Sequence, residues 1–193
     1  MYLFFDTETT GLPRNWEAPV NDSNNWPRMV QIAWLVYDYD GMKTDFKDFI
    51  IKPEGYTIPT DASRVHGIST ERAIKEGEDL EHVLGLFNEQ IEKAEFLVAH
   101  NMSFDEKIIG AEFLRKDIHS DLFNKTRICT MNVATNYCKL PGPYGYKWPK
   151  LSELHIKLFG EDFDEAHNAA YDIKATEKCF WKMKEMNIIR ISN

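Results

Sequence analysis

Three strand-type segments open the chain before any helical pattern appears, and that order limits the fold more than any other feature. "YLFF" (Tyr2 to Phe5) is a short apolar run. "VQIAWLVYDYDG" (Val30 to Gly41) is a second strand, and its Asp40-Gly41 ending is a hairpin signal. "KTDFKDFIIKP" reads as the returning strand, so the chain begins as an antiparallel meander. Helical patterns follow in "STERAIKEG" and "DLEHVLGLFNEQIEKA". In the second, Leu80, Val83, Leu84, Phe87, Ile91 and Ala94 recur at helical spacing. "FLVAH" (Phe96 to His100) is a further short strand that leads into a helix from about Ser103 to Arg115. "TRICT" is the fifth strand, and helices are expected near Met131 to Cys138, Leu151 to Phe159 and Tyr171 to Met186. Three strands followed by alternating helix and strand predict an α/β fold. Its mixed central sheet would combine the antiparallel meander with parallel strands and be flanked by helices.

The chain has 193 residues, enough for one domain (1–193) with a substantial core. No internal repeat and no low-complexity linker divides it. The formal net charge of -8 argues against a protein that grips long duplexes by neutralising many phosphates. It leaves room for one that holds a short nucleic-acid end through metal ions. The cysteines, Cys129, Cys138 and Cys179, form no CxxC pair and lack zinc-site spacing, so they read as reduced, mostly buried thiols. No apolar stretch approaches the ~20 residues of a membrane span, and no secretory signal opens the chain. A reducing cytoplasm is the expected location.

Asp6 and Glu8 follow the first apolar run two positions apart. Strand side chains alternate faces, so these two carboxylates project the same way and Thr7 the opposite way. Four apolar residues precede them, which puts the pair at the carboxyl end of a central strand. Two ionised carboxylates side by side repel unless a cation sits between them or water reaches both. Hard divalent cations take such oxygen ligands, and Mg²⁺ commonly uses one or two carboxylates plus substrate phosphates.

Two further segments carry acids. "AHNMSFDEKII" sets Asp105 just inside a helix, where an acid ordinarily complements the dipole. In "EAHNAAYDIKATEKCF", His167 precedes Asp172 by five residues, about 140° apart on an ideal helix. They converge only if His167 sits in the preceding loop. Asn168 is then the N-cap and Asp172 lies in the second turn. The apolar stripe Ile173, Thr176, Phe180 and Met183 leaves Asp172 on a flank.

"FFDTETTGLP", "VAHNMSFDEKII" and "AHNAAYD" together resemble the three motifs of the DEDDh 3′–5′ exonucleases, the DnaQ-like superfamily. That superfamily includes the proofreading epsilon subunit of bacterial DNA polymerase III. Order and internal spacing both match, and the resemblance runs from Tyr2 to about Phe180. "VHGIS" (Val65 to Ser69) is a further family-like segment. The sister subtype has a tyrosine four residues before the final aspartate. Here that position is Asn168, and His167 fits the histidine subtype.

The resemblance implies a ribonuclease-H-like fold and a metal-dependent 3′–5′ exonuclease. Asp6, Glu8, Asp105 and Asp172 would hold two Mg²⁺ or Mn²⁺ ions, and His167 would be the general base. Asp6 would serve both ions, Glu8 and Asp172 the ion that activates water, and Asp105 the other. The substrate implied is a nucleic-acid 3′ end, single-stranded or frayed DNA before RNA, cut to nucleoside 5′-monophosphates. Thr9, Gly11 and Leu12 would lie against the last nucleotide, with His66 lining the same pocket and Asn101 touching the strand. An exoribonuclease is the alternative, and a proofreading subunit within a polymerase assembly another. The chain ends soon after the last helix, at "NIIRISN", which weighs against a long polymerase tether. The resemblance leaves a homodimer open, and no membrane is implied.

Two segments read as long loops, uncommon in compact domains unless functional. Pro13 to Arg28 is rich in Asn, Pro and Trp, and Pro141 to Lys150 in Pro, Gly and aromatics. Trp16, Trp26, Tyr144, Tyr146 and Trp148 would either stack on bases or pack the loops against the body, the commoner use of such aromatics.

Overall fold

In the computed structural model, which describes residues 1–163 and 168–191, the apolar run at the start becomes the middle strand of a five-stranded sheet. This strand, β1 (Tyr2–Thr9), pairs antiparallel with β2 (Met29–Tyr37), and β2 pairs antiparallel with β3 (Lys43–Ile50). The chain then forms α1 (Thr60–His66), α2 (Thr70–Glu76) and α3 (Leu80–Lys93). It re-enters the sheet as β4 (Phe96–Ala99), parallel to β1 on its other side. Helix α4 (Met102–Arg115) crosses over to β5 (Thr126–Cys129), parallel to β4. The sheet order is β3-β2-β1-β4-β5, the mixed arrangement expected from the sequence. Helices α5 (Thr130–Cys138), α6 (Leu151–Phe159) and α7 (Ala169–Glu185) complete the layers.

Burial explains the strand assignments. All nine residues of β2 are buried, as a near-continuous apolar run requires when both faces are covered. β3 exposes Lys43, Lys47 and Asp48, the charged dressing that protects a sheet edge from pairing. On one face of β1, Phe5 packs edge-on against Phe87 of α3 at 5.5 Å. On the other, Phe4 meets Phe180 of α7 at 5.0 Å. The second contact fixes which helix lies above the face that Asp6 and Glu8 share. The stripe Ile173, Thr176, Phe180 and Met183 of α7 is buried, as its spacing predicts.

Three details differ from the sequence reading. Helix α1 is an additional element, ending at Gly67, whose φ of 75° only glycine adopts freely. The 141–150 segment contains a minimal hairpin, β6 (Pro141–Gly142) and β7 (Gly145–Tyr146), because Gly145 at φ 126° allows the tight reversal. Asp172 lies in the first turn of α7 rather than the second, since Asn168 caps the helix and Ala169 begins it. The Asn168 side chain accepts from the Ala170 amide at 3.0 Å.

Candidate active site

Asp6 and Glu8 leave the sheet near the point where β1 loses its parallel partner. Pairing with β4 ends at Phe4↔Val98. Pairing with β2 continues to Glu8↔Gln31 and is then broken by a register shift before Thr9. A bulge of this kind re-aims side chains at a strand end. Both carboxylates stay partly exposed there.

Asp105 approaches from α4 and is buried. Its Oδ1 accepts from the Thr7 amide at 3.0 Å and the Thr7 hydroxyl at 2.7 Å. The residue between the two acids of β1 is therefore the clamp for the acid of α4. Asp172 arrives from α7, whose first residue is tied to β2. The Ala169 amide donates to Gln31 Oε1 at 3.4 Å, and Gln31 is the register partner of Glu8. Gln31 is itself steadied by Asp48, to which its Nε2 donates at 2.7 Å.

Asp6, Glu8 and Asp172 each offer a carboxylate oxygen, and these atoms lie within 4.8 Å of one another. Asp105 stands outside that threefold group but close enough to act on it electrostatically. Burial first, then repulsion from Asp105, Asp172 and Glu8, holds the Asp6 carboxyl well above the ordinary carboxylate range. Burial and the charges of Asp172 and Asp105 push Glu8 up to about 8. Burial raises Asp105 to about 7 against the opposing pull of its Thr7 bonds. Among the described residues, no Lys or Arg pairs with Asp6, Glu8 or Asp105. An all-oxygen donor set whose acids repel one another is what a hard divalent cation relieves. The residues fit such a group.

The remaining sequence-predicted residues fall around this cluster. Thr9 is buried, and its hydroxyl donates to the Gly11 carbonyl at 2.6 Å. Gly11 sits at φ 147°, and Leu12 projects into solvent with 73% of its surface exposed. His66 is buried, and its Nδ1 accepts from the Ile68 amide at 3.2 Å. Its Nε2 is buried, and the Thr9 backbone acts on the ring electrostatically. Asn101 holds the left-handed N-cap position of α4 at φ 71°, and its side chain caps no amide. His167 lies outside the described residues.

The five loop aromatics divide. Trp26 is buried, 3% exposed, and its Nε1 donates to the Pro19 carbonyl at 3.0 Å, so it packs the loop rather than facing a ligand. Trp16, Tyr144, Tyr146 and Trp148 are exposed. Loop 13–28 is fastened to α4. Glu112, fully buried, accepts from Arg28 Nε and the Met29 amide, both at 2.9 Å. Arg115 donates to the carbonyls of Ser23 and Trp26. The loop also crosses Gly110, where a Cβ would strike Val20 and Phe123 under 3.0 Å, so only glycine lets it seat. Sequence reading missed Thr7, Gln31 and this Glu112 network. The available signal was an acid, Glu112, one turn after the apolar Ile108 and Ile109 of α4.

A mixed sheet whose central strand ends in two acids, with further acids delivered by flanking helices, is the ribonuclease-H-like nuclease architecture. The chain belongs to the RNase_T exonuclease family, whose pattern it matches over residues 3–180, within the DnaQ-like superfamily. The DNA polymerase III PolC-type protein of Streptococcus pneumoniae serotype 2 (strain D39) is 31% identical over 175 residues, 91% of this chain and 10% of that protein. The PolC-type protein of Staphylococcus epidermidis is 28% identical over 195 residues, covering 100% of this chain and 12% of that protein. The chain thus spans about a tenth of the length of the curated relatives it matches. Among solved structures, E. coli exonuclease I in complex with a dT13 oligonucleotide aligns with a TM-score of 0.75 at 20% identity, covering 95% of this chain and 40% of that one. The zinc-bound form of the same enzyme with single-stranded DNA aligns at 0.73 and 22%, covering 96% and 40%. These structural likenesses concern the fold.

Proposed function

We propose that residues 1–193 form a single exonuclease domain that hydrolyses the terminal phosphodiester of DNA 3′ ends, single-stranded or frayed, and releases nucleoside 5′-monophosphates. The observation that carries this reading is the convergence of Asp6, Glu8 and Asp172 within 4.8 Å, from elements more than 160 residues apart in the chain. Nothing in stability alone rewards that placement. Relatives named as DNA polymerases and a fold neighbour crystallised with oligonucleotides agree with it.

Asp6, Glu8 and Asp172 would hold one Mg²⁺ or Mn²⁺, and Asp6 with Asp105 a second. When bound, such a pair lowers the pKa of a water and neutralises the attacking and leaving oxygens of an in-line displacement. His167, assigned from its motif, takes the proton as the water oxygen bonds to phosphorus and the 3′ oxygen of the penultimate nucleotide leaves. Thr7 aims Asp105, and its two hydrogen bonds favour the charged form and offset part of the burial that raises the carboxyl to about 7. Gln31 keeps the start of α7, and so Asp172, over Glu8.

Beside the acids, Thr9 and Gly11 form the backbone shelf for the last nucleotide, and the exposed Leu12 lies against its base. Burial lowers the His66 pKa, so at neutral pH the ring is neutral. Because Nδ1 accepts from Ile68, the proton resides on the buried Nε2, and the ring lines the terminal-nucleotide pocket from behind the Thr9 backbone. Three free thiols suit a reducing, cytoplasmic setting. Among the described residues, no helix is long and apolar enough to cross a membrane.

Chromatography of digests of unlabelled DNA and RNA oligomers in Mg²⁺ or Mn²⁺ tests the proposal. Nucleoside 5′-monophosphates released faster from DNA are expected. Faster release from RNA would favour the exoribonuclease alternative, and nucleoside 3′-monophosphates would contradict the chemistry.

A further inference from the structure

A cleft of about 590 Å³ lies along the first turns of α4, the helix that carries Asp105. Trp16 from the 13–28 loop and Trp148 from the 141–150 segment form part of its walls, and Asn101, Lys107, Asn132 and Glu17 give it polar lining. The two loops arrive from opposite ends of the sequence, and each is fastened beside its tryptophan. Lys107 Nζ donates to the Trp16 carbonyl at 2.8 Å, and the Trp16 ring rests on Phe104 at 5.7 Å. His100 Nε2 lies 3.0 Å from the Pro149 carbonyl, one residue past Trp148. A carbonyl only accepts, so Nε2 carries the proton and Nδ1 accepts from the Thr130 hydroxyl at 3.0 Å. Yet Trp148 is 67% exposed. A rigidly anchored backbone that presents a bare ring is a poor arrangement for packing and a good one for stacking.

The polar lining limits what the rings can take. One lysine and one glutamate leave the cleft near neutral, and that lysine is already engaged. Such a surface does not favour phosphates. It offers ring faces and amide groups, which match the faces and edges of bases. Bases inside a duplex have both faces covered by their neighbours, so only an unpaired strand can use them.

We propose that this cleft is a second nucleic-acid subsite, which stacks an unpaired base upstream of the 3′ end on Trp148 and Trp16 and so selects single strands over duplex ends. This rests on the nuclease reading above, because α4 links the cleft to the acids.

The test is fluorescence anisotropy in Mn²⁺ with a labelled DNA 12-mer whose last linkage is an uncleavable methylene phosphonate. Trp148→Ala should weaken binding by about 5- to 150-fold, the range for losing one stacked base, while Trp148→Phe retains most of the affinity. An otherwise identical oligomer, abasic at the second to fourth positions from its 3′ end, should bind the wild type and Trp148→Ala alike, as should a blunt duplex. Affinities of Trp148→Ala and Trp16→Ala within twofold of wild type would overturn the subsite. So would an equal loss on the abasic oligomer, which would mark structural damage instead. A protein that shows the tryptophan dependence but releases no mononucleotide from an ordinary oligomer would keep the subsite and overturn the nuclease reading.

Discussion

Asp105 of α4 is held by Thr7 of β1, its Oδ1 accepting from both the Thr7 amide at 3.0 Å and the Thr7 hydroxyl at 2.7 Å. The clamp joins residues 98 positions apart and lies between the two acids of the first motif. Thr7→Val removes the hydroxyl bond and keeps the shape. Outer-shell changes of this kind commonly cost 10–100-fold in metal affinity or activity. We expect a loss of about that size in turnover, with Thr7→Ser close to wild type, read by steady-state hydrolysis alongside Mn²⁺ titration calorimetry. Equal turnover in Thr7→Val would remove Thr7 from the site.

The acids predict an unusual stability profile for the metal-free protein. Glu8 and Asp105 have folded-state pKa values raised to about 8 and about 7, so the folded state binds their protons more tightly than the unfolded one. That contribution is complete below the ordinary carboxylate range and is lost as pH rises through 7 and 8. His100, lowered by burial to about 4, and His66, also lowered, act oppositely, but only below about pH 6.5. Between pH 6.5 and 8 the acids therefore dominate, and the melting temperature in chelator should fall. Mn²⁺ should raise it most at pH 8. A flat or rising profile in chelator would contradict this.

Glu112 tests the scaffold rather than the chemistry. It is fully buried and holds Arg28 and the Met29 amide, with Arg115 at 3.0 Å. Removing one partner of such a group strands the others, typically at about 3–5 kcal/mol. Glu112→Ala should lose stability on that order in urea denaturation. Because loop 13–28 carries Trp16, oligonucleotide affinity should fall with it.

Much of this site was legible in the sequence. A period of two put Asp6 and Glu8 on one face, and four apolar residues before them implied a central strand. Asn168 as a cap and the α7 stripe located Asp172 to within a turn. Other parts left no pattern. Helix α1 buries only His66, so no apolar stripe announced it. The β6–β7 hairpin has two residues per strand, too few for any period. Thr7 acts through its backbone amide as much as its hydroxyl, and an amide has no signature in sequence. Composition also could not separate Trp26, buried against Pro19, from Trp148, which faces solvent.

His167 and Asp6 should separate by phenotype. His167→Ala should lower turnover by about 10²–10⁴-fold, the usual scale for a general base, with Mn²⁺ affinity intact. Asp6→Ala should abolish activity and metal binding together. Unchanged Mn²⁺ affinity in the Asp6 variant, measured by isothermal titration, would sink its bridging role.

Digestion of a 5′-end-labelled single-stranded DNA oligomer, with Mg²⁺ or Mn²⁺ and with chelator, reads out metal-dependent cleavage from the 3′ end. The expected result is a ladder of labelled products shortened one nucleotide at a time from the 3′ end, present only with metal and absent in Asp6→Ala. Immediate release of the labelled 5′ nucleotide, or a ladder that persists in chelator, would contradict it.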